Sequence, residues 1–234
     1  MAAGDTVEVA EKPPRKTYAS AQIHERRARI ISEALALIIE TGSTGFTIQE
    51  LSRRAEVAPR TLYYGFSGKE GVIESAVLEH YSELSRRNGL TASPPYAGAV
   101  LNALDVAIAE IFRVPNYARA MVDIYFSPSA NSRIVAALRR ISSGFPAIWF
   151  RAERQAGRLQ PWAEDALFLQ QLSDLQYGAI HTWSVREIGD HELVRRLRAN
   201  FRTMAHAVLN DPGRREFDDV LDTLNVEIAK PEGS

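Results

Sequence analysis

The chain has 234 residues, 45% of them hydrophobic and 24% charged, enough apolar material for one large core or two smaller ones. It contains no cysteine, which excludes disulfides, thiolate catalysis and cysteine-based zinc sites and fits a reducing compartment. The net charge is −1, which excludes bulk attraction to nucleic acid, so any DNA binding has to come from a local patch.

Residues 1–21 are polar and aperiodic, and Pro13-Pro14 breaks any helix there, so a disordered arm is expected. Its Lys12, Arg15 and Lys16 form a weak basic cluster, either merely solvated or lying along a DNA backbone or minor groove. Over 22–41, Ile23, Ile30, Ile31, Ala34, Leu35, Leu37 and Ile38 recur close to helical period, and Gly42 stops the helix. Arg26, Arg27 and Arg29 lie in its first half.

The stretch Phe46–Glu70 carries the most information. Thr47-Ile48-Gln49-Glu50 predicts a capping box, with Phe46 and Leu51 placed to pack as a hydrophobic staple. That helix is expected to run to about Ala55, with Glu56-Val57-Ala58 as a turn. Pro59 then occupies the first position of a second helix, where a missing N–H costs nothing. Gly65 is expected to end it, and Ser67-Gly68-Lys69-Glu70 to cap a third. Helix, turn, helix in about 20 residues is the skeleton of a DNA-reading motif. At about 100° per residue, Leu62 and Phe66 share an inward face, while Arg60 and Tyr64 point nearly opposite with Thr61 and Tyr63 on the flanks. These residue types bond to base edges and phosphates, although an ordinary polar surface helix would look similar.

From Gly68 to Arg87, Val72, Ile73, Ala76, Val77, His80, Tyr81 and Leu84 form one stripe, and His80 reads as a core histidine rather than a ligand. Residues 89–95 break the pattern and mark the best domain boundary. Beyond it, helices are expected near 96–113, 116–126, 129–156, 163–186, 190–209 and 214–229, with no useful strand alternation. Ser127-Pro128 is a helix start signal, and Pro146 is expected to kink the helix that contains it. The 163–186 helix carries Leu167, Leu172, Leu175, Ala179, Ile180 and Trp183. The 190–209 helix carries Leu193, Val194, Leu197, Phe201, Met204, Ala205 and Val208. Two such neighbours either face their own core or pair with a second copy as a four-helix interface. The last helix, with Phe217, Val220, Leu221, Leu224 and Ile228, is an amphipathic addition.

Phe46-Thr47-Ile48, Leu51, Ala55, Val57, Thr61-Leu62-Tyr63, Phe66 and Lys69-Glu70 together resemble the DNA-binding domain of TetR-family transcriptional regulators. The resemblance covers roughly residues 22–88. It departs from the family at Glu56, where glycine is usual, and at Ala58, where serine or threonine is usual. A non-glycine residue in a left-handed turn costs roughly 1 kcal/mol, and a lost cap about 1 more. The remaining two thirds is similar to the family only in length and helical character.

The expected fold is therefore all-α: an N-terminal three-helix helix-turn-helix domain over 22–88, its connecting helix at 68–88, and a larger helical domain over 96–229. The candidate DNA contacts are Thr47, Ala58, Pro59, Arg60, Thr61, Tyr63, Tyr64 and Lys69. Lys69 stands at a helix N-terminus, which favours an anion, and in the family this lysine holds a phosphate. The resemblance also implies a homodimer through helices 163–186 and 190–209, a palindromic operator, and a small, partly apolar ligand in the larger domain. Aromatic and polar residues there, Phe112, Tyr125, Trp149, Gln176, Tyr177 and His181, are the candidate ligand contacts, although a plain aromatic core accounts for each singly. A repressor released by that ligand is the leading expectation. A ligand-independent architectural DNA-binding protein and a regulator controlled by a protein partner are the alternatives. The histidines His24, His80, His181, His191 and His206 show no HExxH spacing, and GxSxG, P-loop and dinucleotide motifs are missing. No catalytic residue, metal site or cofactor is expected. No apolar run has the length of a membrane span, and no apolar signal region opens the chain, so a soluble, cytoplasmic protein is expected.

Overall fold

The computed structural model describes residues 15–89, 96–128 and 132–228. Among these lie ten helices: α1 (Arg15–Thr41), α2 (Ile48–Arg54), α3 (Pro59–Phe66), α4 (Lys69–Arg87), α5 (Ala97–Arg113), α6 (Pro115–Phe126), α7 (Ser132–Gln155), α8 (Asp165–Ser184), α9 (Asp190–Val208) and α10 (Asp211–Ile228). The one extended pairing among the described residues is an antiparallel bridge between Leu159 and Leu209. The fold is all-α, as the sequence predicts.

Several boundaries differ from the periodicity reading, each for a local reason. Helix α1 begins at Arg15, ahead of Ile23 and the apolar stripe. Residues 1–14, with Lys12 and Pro13-Pro14, lie outside the described residues, as does most of the 89–95 breaker. Helix α3 does not end at Gly65. It runs on to Phe66, and Ser67 turns left-handed at φ 63°. The expected capping box at Ser67–Glu70 is therefore missing: a residue closing α3 in the left-handed region cannot also hold the extended geometry of an N-cap. Gly68, at φ 96°, takes that place with no side-chain cap. Helix α10 starts at Asp211 because Asn210 Oδ1 accepts from Gly213 N at 3.1 Å, and Pro212 follows. Helix α7 begins at Ser132 and runs as one element through Pro146.

Three cores hold the helices together. The first gathers Ile30, Ile38, Leu51, Leu62, Val72 and Val77 from α1–α4, then continues into α6 and α7 through Met121, Tyr125, Ile134 and Leu138. It does not stop at the segment between α4 and α5. A second core stacks Trp149, Phe150, Phe168, Phe201 and Phe217, with Trp149 5.3 Å from Phe201 and Phe150 4.8 Å from Phe168 between ring centroids. A third joins Ile108, Ala118, Ala179, Trp183, Leu193 and Leu197. Helix α4 is the shared part: it packs on α1 and α3 at one end and on α7 further along.

Candidate nucleic-acid interface and interior cavity

Helix α2 is started by Thr47, whose Oγ1 accepts from Glu50 N at 3.1 Å. Thr47 is exposed, so its hydroxyl proton remains free to donate outward. The box is only half formed, because Glu50 gives both carboxylate oxygens to Arg53, at 3.2 and 2.7 Å. Phe46 and Leu51 are both buried, as a staple requires. Glu56 stands in the left-handed region at φ 53°, and Ala58 starts α3 with no side-chain cap. Both local weaknesses predicted from the sequence are present.

Helix α3 divides its faces sharply. Leu62 and Phe66 are buried, and Ala58, Pro59, Arg60, Tyr63 and Tyr64 are exposed, with Thr61 half-buried between them. Tyr64 is 91% exposed and Tyr63 59%. A ring left that bare contributes nothing to packing, so its value lies in what it can touch outside.

The nearby cations sort into two groups. Arg27 stacks over Phe66 at 4.4 Å and donates to Gly65 O and to Ser75 Oγ, both at 3.3 Å. Arg29 donates to Ala55 O at 2.9 Å. Lys69 Nζ donates to Phe46 O at 2.7 Å and lies 4.5 Å from the Phe46 ring. These three close carbonyls near the ends of α2 and α3 that have no helical partner of their own. Burial lowers the Lys69 pKa against the pull of Glu70. Lys69, a candidate phosphate anchor by sequence, is thus turned inward here. Arg54 is held by Glu33 and Glu40. Among the described side chains over residues 22–88, Arg26 and Arg60 are the cations without a partner.

Behind this face, α4 to α9 line a cavity of about 190 Å³, partly open to solvent, with an almost wholly apolar wall. Of the six candidate ligand contacts, Gln176 and Tyr177 line it and the other four do not. Trp149 is consumed in the second core. Phe112 packs edge-on against Trp183 at 6.0 Å, and His181 is exposed against Phe126 at 5.6 Å. Tyr125 stacks on Tyr177 at 4.2 Å and donates its hydroxyl to Asp174. Helical period identifies an inward face, but it does not distinguish a solid core from a void.

Sequence reasoning missed the polar corner of this cavity. Glu110, 6% exposed, accepts from Arg113 Nε at 2.7 Å and lies 3.4 Å from Arg87 Nη2. His80 Nε2 lies 2.8 Å from Glu110 Oε1, near enough for attraction but out of line for a hydrogen bond. The Arg113 guanidinium foremost holds Glu110 below the usual carboxylate range. Burial lowers the His80 pKa, against the pull of Glu110. Tyr117, 4.5 Å from the His80 ring, completes the corner. The available signal was one glutamate inside the apolar run Val106–Phe112, three residues before an arginine.

Leu193, Leu197, Phe201, Ala205 and Val208 of α9 are buried inside the protomer, so that stripe faces the protein's own core. What α8 leaves outside is Leu167, 52% exposed, Leu175, 44%, and Val185 just past its end, 51%. They lie on one line with Gln171, Gly178 and Thr182 at helical spacing.

Residues 30–76 match the family model of bacterial regulatory proteins, tetR family. The HTH-type transcriptional regulator UidR of Escherichia coli K12 is 25% identical over 161 residues, covering 66% of this chain and 79% of UidR. A TetR transcriptional regulator from Rhodococcus sp. RHA1 shares the fold with a TM-score of 0.61 at 22% identity, over 78% of this chain and 97% of that one. Thermus thermophilus FadR, a TetR-family repressor solved with lauroyl-CoA, shares it with a TM-score of 0.59 at 22% identity, over 76% of this chain and 92% of FadR. None of the described helices is long and apolar enough to cross a membrane. The matched motif lies on α1–α4 with α3 bare to solvent, so residues 30–76 form a helix-turn-helix DNA-binding domain like that of the tetR family of bacterial regulatory proteins, and the chain shares the fold of solved TetR-family regulators.

Proposed function

We propose that this protein is a repressor that binds a palindromic operator as a homodimer and is released when a small molecule occupies the α4–α9 cavity. Arg60, Thr61, Tyr63 and Tyr64 read the major groove, and Thr47, Ala58 and Pro59 lie against the backbone beside them. Lys69 acts first as a brace for the start of α2 and only secondarily as a phosphate donor. The dimer forms through the outer line of α8, Leu167, Leu175 and Val185, beside α9.

The observation that carries this reading is the double duty of α4. Its first turn abuts α3, where a Cβ added at Gly71 would lie 1.6 Å from Phe66 O. Two turns on, its His80, Tyr81 and Leu84 form part of the cavity wall. Whatever shifts that wall shifts the reading helix, and half-sites on a palindrome have fixed spacing. A ligand acts only to the extent that it prefers one arrangement over the other. Footprinting of the DNA beside the protein's own gene, with and without compounds shown to occupy the cavity, tests this. A single palindromic footprint that disappears on occupancy is the expected result, and a footprint indifferent to every occupant overturns the switch. Arg60→Ala should relax specificity at one base position at a cost of about 1–3 kcal/mol. Binding of all operator variants by that mutant at wild-type strength would reject this reading face.

A further inference from the structure

We propose that the cavity is built for an uncharged, elongated apolar molecule that donates one hydrogen bond, from a hydroxyl or an amide N–H, to Gln176 Oε1. This rests on the reading of the cavity as the ligand site and adds the chemistry of what fills it.

Shape comes first. Along α5 the wall is made by Val100, Ala103, Leu104, Ala107 and Ile111, at successive i+3 and i+4 positions. At 1.5 Å rise per residue these span about 16 Å. The void is thus a slot along a helix rather than a round pocket. Phe145, Leu172 and Phe201 close its sides.

Charge comes next. Glu110 is the one ionised side chain among the described residues of the wall, and it is already engaged. Arg113 binds it through Nε and Nη2 at 2.7 and 2.5 Å, and Arg87 approaches its second oxygen. His80 is kept neutral by burial, and burial likewise keeps the Tyr117 hydroxyl protonated. A carboxylate or ammonium head would enter this slot with no free counter-charge, and a buried unpaired ion is costly.

Two polar atoms of wall residues are buried without a hydrogen bond: His80 Nε2, which faces Glu110 Oε1 at 2.8 Å, and Gln176 Oε1, which has no polar group opposite it and sets the donor requirement. Gln176 Nε2 donates to Leu197 O at 3.3 Å, which fixes the orientation of the amide. Its Oε1 is buried and has no hydrogen-bond partner. An orphaned buried acceptor is expensive to leave unmade, so a ligand that supplies an N–H or O–H gains what the free protein lacks.

Isothermal titration calorimetry on the intact chain, without DNA, tests this with four probes that share one body: 1-decanol, methyl decyl ether, decanoate and decylammonium. Decanol should bind roughly ten-fold tighter than each of the other three. In Gln176→Met the preference for decanol over the ether should vanish while ether binding persists. Ala107→Trp, which fills the slot, should abolish binding of all four. Decanoate or decylammonium binding as tightly as decanol, an ether that matches decanol on the wild type, or no binding by any probe each overturns the inference. Decanol that binds as stated but leaves the operator complex intact would overturn the switch and leave the ligand class standing.

Discussion

At the scale of single residues, strain and burial make opposite contributions in this protein. Glu56 holds φ 53° without the freedom of glycine. Glu56→Gly should therefore raise stability by about 1 kcal/mol. For a chain of this size that appears as a rise in melting temperature of about 2–4 °C. No rise, or a fall, would show that the Glu56 side chain repays its own strain. His80 works the other way. Burial foremost, with Arg113 and Arg87, lowers its pKa, and Glu110 only partly opposes them. The unfolded histidine takes up a proton near pH 6.5 while the folded one does not, so stability falls as the pH drops below about 6.5. Glu110, held low by Arg113, adds loss of the same sign in more acidic solution as the pH falls through its folded pKa. One proton contributes at most about 1.4 kcal/mol per pH unit. Melting curves at pH 7.5 and 5.5 should converge in His80→Phe, which keeps a ring beside Tyr117. Equal acid sensitivity in mutant and wild type would place the proton elsewhere.

At the scale of elements, α3 meets α4 so closely that only a hydrogen fits. A Cβ on Gly71 would stand 1.6 Å from Phe66 O, a backbone atom that cannot yield without moving α3. Gly71→Ala should cost about 1–3 kcal/mol and reduce operator affinity further than that instability explains, because the reading helix itself is displaced. Retained affinity with lowered stability would show that α3 tolerates the shift. The same junction shows where sequence reading stops. Thr47, Pro59 and Gly42 are local signals, and the elements they punctuate are found close to where the sequence placed them. Ser67 carried a local signal too, that of an N-cap, and the tight passage from Phe66 to Lys69 overrode it. Lys69 reads as DNA-facing charge, and Arg27 and Arg29 as plain helix cations, yet the partners of Arg27, Arg29 and Lys69 are carbonyls 38, 26 and 23 residues away in the chain. Contacts of that range leave no mark on periodicity. For the same reason Trp149 and Gln176 were indistinguishable as cavity candidates, since one sits in a solid aromatic stack and the other beside a void.

At the scale of the molecule, a net charge of −1 leaves little non-specific attraction to DNA. Arg60 and Arg26 are the unpaired cations among the described side chains over residues 22–88, so one copy of that surface offers few phosphate contacts. In the proposed dimer, affinity comes from two copies of α3 held at fixed separation, which makes the α8 surface as important to binding as α3. Leu167, Leu175 and Val185 stand bare along that surface, although leucine and valine are usually buried. Leu175→Asp puts a charge at its centre while touching none of the three cores. Analytical ultracentrifugation should show a monomer of 26.0 kDa where the wild type sediments as a dimer. The protomer should stay folded, because that side chain is 44% exposed in it, and its unfolding temperature should fall only by what dimerisation contributes. Operator affinity should fall by about 100-fold or more if the second half-site contributes only what avidity provides. A mutant that remains dimeric would move the interface off α8. A monomer that still binds the full operator as the wild type does would show that a single α3 is enough, and the link between cavity, α4 and half-site spacing would then have nothing to act on.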